Sequence, residues 1–193
     1  MKKRVFCSSL GIMLAAAAIG AQQPAAQTIG LATTLQRAYA TVKMSLTQSA
    51  EKMPEADYSS KPSTMPEVRT FGKLFGHVAN AQFGSCAAAQ GVPNPNQGND
   101  LETKTTKAEF IKGLADSFAF CDAAFSSLTD QSALEMVRQG QNQVTRAGVL
   151  LNLIAHSNEM YGTSGVYLRA KGLVPPSTEN AAQGRGGRGR GAQ

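Results

Sequence analysis

Apolar residues recur along this chain at intervals of three and four, and none of the periodic stretches alternates with polar residues as a strand would. The first stretch runs from about Thr33 to Lys52, with Leu35, Ala38, Val42, Leu46, Ser49 and Met53 along one side. A second, from about Phe71 to Ala89, places Leu74, His77, Val78 and Ala81 together, and Thr70 stands where an N-cap is needed. The third has the cleanest stripe: Ile111, Leu114, Phe118, Cys121, Phe125 and Leu128. The fourth, from about Gln143 to Lys171, is the most apolar and closes at Gly172, with Pro175 and Pro176 beyond. Four such helices predict an all-α four-helix bundle. The connection QGVPNPNQGNDLETK between the second and third helices is far longer than an antiparallel turn requires. It predicts a crossover that leaves those two helices parallel.

The ends read differently. MKKRVFCSSLGIMLAAAAIGAQQ has a basic start, an apolar core too short for a membrane span, and small residues at Ala18 and Ala21. That is the pattern of a secretory signal peptide over residues 1–21, and it predicts export to the periplasm or the extracellular space. Residues 30–176 then form the bundle. The tail from 177 to 193 is rich in Gly and Arg and is expected to stay disordered. Setting aside Lys2, Lys3 and Arg4 and the tail's Arg185, Arg188 and Arg190, 13 of the 19 basic residues remain, against 13 acidic ones. The basic character therefore lies at the two ends, and no nucleic-acid groove is expected on the domain. No later segment approaches a membrane span. Beyond Cys7, the chain keeps Cys86 and Cys121. In an exported chain an even pair reads first as a disulfide. The alternative is two buried free thiols. Parallel second and third helices favour the bond, because each cysteine lies about equally far along its helix.

Candidate chemistry is sparse. There is no GxSxG, no HExxH and no phosphate-cradling glycine loop. The two histidines, His77 and His156, both lie among apolar residues, and burying imidazoles without partners is costly. In AHSNEMYG, Met160 follows His156 by four residues on the same helical face, and Glu159 follows by three. A metal centre on that face would call for histidine where Met160 stands.

Three ordered blocks, SAEKMPEADYSSKP, PEVRTFGKLFGHVANAQ and AHSNEMYGTSGVYLRAKGLVPPS, resemble the DinB-like superfamily of four-helix bundles. The resemblance implies a divalent metal, zinc or nickel, held by one histidine of the second helix and a His-x-x-x-His pair of the fourth. Carried over, these positions fall on His77, His156 and Met160. The last departs from the pattern, since a thioether suits soft copper(I) better than zinc or nickel. The leading reading is an exported bundle with an incomplete metal site, binding metal weakly or binding a small molecule or partner without catalysis. The alternative is a metal-dependent hydrolase or S-transferase, with Glu159, water or substrate completing the site. A His–His–Met copper protein ranks third. A homodimer stays open.

Overall fold

The computed structural model describes residues 28–188, so the expected signal segment lies outside the described residues. Four long helices make the bundle: α1 (Leu31–Lys52), α2 (Phe71–Gln90), α3 (Lys107–Ser126) and α5 (Arg146–Ala170). Between α3 and α5 come a single-turn α4 (Asp130–Ala133) and a hairpin of β1 (Met136–Gln139) and β2 (Asn142–Thr145). The chain then enters α6 (Pro176–Arg188).

Local chemistry fixes the helix ends. The Thr70 side chain accepts from Lys73 N at the start of α2, and Thr106 with Glu109 forms a capping box on α3. At the end of α2, Gly91 takes φ +69, which lets its N–H reach back to Ala87 and Ala88 carbonyls. Each long helix then buries its apolar stripe in one shared core that includes Leu46, Phe71, Phe75, Leu114, Phe118, Leu150 and Leu168.

Helices α2 and α3 run parallel, as the long connection predicts. Gly72 faces Phe110 near their starts, and Cys86 is bonded to Cys121 near their ends, with Cα atoms 5.3 Å apart. Helix α1 opposes α3, with Lys107 Nζ donating to Met53 O at 2.7 Å. Helix α5 opposes α2, with Phe71 meeting Tyr167 at one level and Gln82 meeting Ser157 at another. The connection after α2 returns along that helix through a 3-10 turn, Leu101–Thr103, seated against Gly76. A Cβ at Gly76 would lie 2.4 Å from Leu101 O, so only glycine lets the turn approach so closely.

Two features depart from the sequence reading. The hairpin lies where helix or loop is expected, because Val137 is its one buried residue and its strands carry no alternating pattern. Its two-residue turn begins at Gly140 with φ +60. The second is α6, which occupies much of the segment expected to be disordered. Composition saw the Gly/Arg repeats and missed the start of the helix. There Pro176 is buried, Ser177 N donates to Tyr161 Oη at 2.8 Å, and Glu179 pairs with Lys52. No helix among the described residues is long and apolar enough to cross a membrane.

Candidate functional site

Opposed α2 and α5 bring His77 and His156 together. Their ring centroids are 5.0 Å apart, with planes inclined at 74°. His77 is the seventh residue of α2, flanked by buried Gly76 and Val78, and its side chain remains about a quarter exposed at the edge of the core. His156 is similarly half-buried, with Met160 buried one turn further along the same face.

Each imidazole is held differently. His77 Nδ1 lies 2.8 Å from Glu102 Oε1. A carboxylate only accepts hydrogen bonds, so the proton sits on Nδ1 and Nε2 is left free of that contact. The other Glu102 oxygen accepts from Arg69 Nε at 2.8 Å, and the Arg69 carbonyl accepts from Tyr167 Oη at 2.6 Å. Asp100 anchors this assembly by accepting from Glu102 N at 2.9 Å and Asn80 Nδ2 at 2.7 Å. Those two hydrogen bonds hold the Asp100 carboxyl below the usual carboxylate range. A continuous polar chain thus runs from Tyr167 through Arg69 and Glu102 to His77.

His156 has no such support. Its Nε2 is buried without a hydrogen-bond partner. Its Nδ1 stands 4.0 Å from Glu159 Oε2, beyond hydrogen-bond reach. Burial pushes the His156 pKa down from its ordinary value, and the facing His77 and more distant Arg69 push the same way, against Glu159. Deeper between the same helices, fully buried Gln82 donates from Nε2 to Ser157 Oγ at 3.1 Å, while its Oε1 has no partner.

The structure therefore juxtaposes His77 and His156 and places Met160 on their side of α5, whereas Glu159 stays largely exposed. Glu102 and Arg69 escaped the sequence reading. Glu102 lies in the Pro/Asn/Gly-rich connection, where no periodicity marks it. The available signal was topological: a crossover returning past α2 must set some of its residues beside His77.

The donor chemistry does not fit a three-nitrogen metal centre. Two imidazoles converge, the third position offers a thioether, and Glu102 is engaged with Arg69 and His77. Among the described residues, no three His, Cys, Asp or Glu side chains form a group that could hold an ion.

Comparison with known proteins bears on the fold and the family. The chain is similar to a DinB-like protein from Bacillus cereus, with TM-score 0.61 and 19% identity over 74% of this chain and 93% of that one. A conserved protein from Enterococcus faecalis gives TM-score 0.59 and 14% identity, covering 74% of this chain and 97% of that one. At such identities the likeness shows the fold alone. No curated protein matches the chain. The family model of the DinB superfamily matches residues 38–163, which span both histidines and most of the bundle, and the chain belongs to that superfamily.

Proposed function

We propose that this is an exported DinB-superfamily bundle whose α2–α5 interface keeps two imidazoles of a metal site and has lost the third ligand. It acts as a weak metal binder or as a non-catalytic binder of a small molecule or partner. The observation that carries the reading is the His77–His156 pair at 5.0 Å, with Met160 one turn beyond His156. Glu102 adds support, since a carboxylate on the far nitrogen of an imidazole fixes its tautomer and aim as an outer-shell partner does. Replacing an imidazole nitrogen by a neutral thioether weakens zinc and nickel binding, and without a retained ion there is no metal-bound water to activate. The Cys86–Cys121 bond is compatible with an oxidising compartment.

Competition against a chromogenic chelator tests this directly. Zinc or nickel should bind the unaltered chain weakly and Met160→His at least about a hundredfold more tightly, the scale of a recovered nitrogen ligand. Equal affinities would mean that the third position does not face the pair, and the reading would fail.

A further inference from the structure

Where the connection from α1 enters α2, it meets the 3-10 turn around a cavity that the imidazole pair does not use. The cavity holds about 280 Å³ and is lined by Lys61, Arg69 and Lys73 together with Glu67, Glu102 and Thr70. Small-molecule sites begin at about 300 Å³, so there is room for a ligand of a few carbons. Three cations meet two carboxylates there, and the carboxylates are not equivalent. Glu102 engages Arg69 with one oxygen and His77 with the other. The lining thus carries one positive charge in excess, which complements a singly charged anion.

The cations keep donors in reserve. Arg69 is braced twice, by Nε donating to Glu102 at 2.8 Å and by its carbonyl accepting from Tyr167 Oη at 2.6 Å. With Nε engaged, its Nη1 and Nη2 make no hydrogen bond among the described residues, and those two nitrogens form the end-on fork that matches a pair of carboxylate oxygens. Lys73 forms no ion pair among the described residues, and Lys61 reaches only the Pro66 carbonyl, at 3.4 Å. One unpaired surface lysine is ordinary; two of them facing one cavity beside a braced guanidinium are a positive site. The backbone at the start of α2 does not compete for the role. Phe71 N donates to Ser60 O at 3.0 Å, Gly72 N to Tyr58 O at 2.8 Å and Lys73 N to Thr70 Oγ1 at 3.3 Å. Only the helix dipole remains there, with the sign that favours an anion. Recognition therefore rests on the side chains.

We propose that this cavity binds a small monocarboxylic acid, with its carboxylate on the Arg69 fork and on Lys73. The proposal rests on reading the chain as a small-molecule binder, and it gives that ligand a chemical class. Lys73 stands one turn before His77 on the same face of α2. Glu102 is both a wall of the cavity and the partner of His77 Nδ1, so a carboxylate drawing on Arg69 is felt at the imidazole.

The test is a titration of the nitrogen-15-labelled chain with butyrate, followed by nuclear magnetic resonance with a chelator present so that metal plays no part. Butyrate should shift the Arg69 Nε–H and His77 ring resonances and reach saturation, whereas 1-butanol, with the same carbons and no charge, should shift neither. Lys73 is exposed, so Lys73→Gln should leave Tm unchanged while raising the butyrate Kd by at least about tenfold, the scale of one lost charge-assisted hydrogen bond. Lys73→Arg should restore binding. Shifts that do not saturate, equal binding of 1-butanol, or a Lys73→Gln chain that binds butyrate normally would overturn the proposal. Tighter binding of inorganic phosphate than of butyrate would overturn the assigned class. The chelator competition reports on Met160 and this titration on Lys73, so the metal reading and the carboxylate site fail separately.

Discussion

Loss of the Cys86–Cys121 bond is expected to be the most damaging small change in the bundle, and its size can be worked from the structure. The bond joins parallel α2 and α3 across a sequence separation of 35, and both cysteines are fully buried. On the chain-entropy model a closed loop of that length contributes ~4 kcal/mol at 25 °C. For a domain of this size each kcal/mol corresponds to about 2–4 °C in Tm, so the expected fall is roughly 8–16 °C. The assay is thermal unfolding followed by far-UV circular dichroism, on the oxidised protein, on Cys86→Ala and Cys121→Ala, and on the double variant. Either single substitution already breaks the bond, so each should fall by nearly the whole amount and the double variant by little more. That strong non-additivity separates a lost cross-link from two independent packing losses. A fall under about 3 °C, or single effects that simply add, would refute the claim that the bond stabilises the bundle by closing this loop.

Two further expectations concern the site. Gly76→Ala places a Cβ 2.4 Å from Leu101 O and 2.8 Å from Glu102 N, both backbone, so the turn must move at a cost of about 1–3 kcal/mol and should carry Glu102 away from His77. Urea unfolding measures the first effect and the His77 side-chain nitrogen resonances the second; unchanged resonances would show that the turn shifts without releasing the contact. His156 has a folded-state pKa below its ordinary 6.5, chiefly through burial, so the unfolded chain takes up the proton first. Its contribution is therefore fully present above 6.5 and is lost as pH falls through the folded-state value. The urea midpoint should drop across that window in the unaltered chain and drop less in His156→Gln; parallel profiles would show that other groups set the slope.

The bundle was legible in the sequence wherever burial imposes a helical period or a terminus needs a particular residue. Thr70 caps α2, and Gly172, with φ +71, follows the end of α5; both were readable because few residue types satisfy those positions. The parallel pairing of α2 and α3 was readable because a short turn cannot join parallel helices. The hairpin was not, since a strand that buries Val137 alone leaves no alternation to detect. The docking of α6 was hidden because it rests on Tyr161, Lys52 and Arg169, which lie elsewhere in the chain.

The imidazole pair was legible for a different reason, and that reason bears on how the site persists with methionine in the third position. What sets the distance between His77 and His156 is the packing of α2 on α5: Phe71 against Tyr167 on one side of the pair and Gln82 against Ser157 on the other. Glu102 is placed by Asp100 and Asn80, and His77 is aimed by Glu102, through hydrogen bonds between side chains and backbone. The disulfide supplies a further constraint of the same kind. In a domain whose pocket is built by a metal, loss of one ligand removes folding energy along with the ion. Here side-chain packing and hydrogen bonds constrain the imidazole pair, so a substitution at Met160 is expected to leave that pair in place. A nitrogen introduced there by Met160→His is therefore expected to raise zinc or nickel affinity, because it adds a ligand to a pair already held in position.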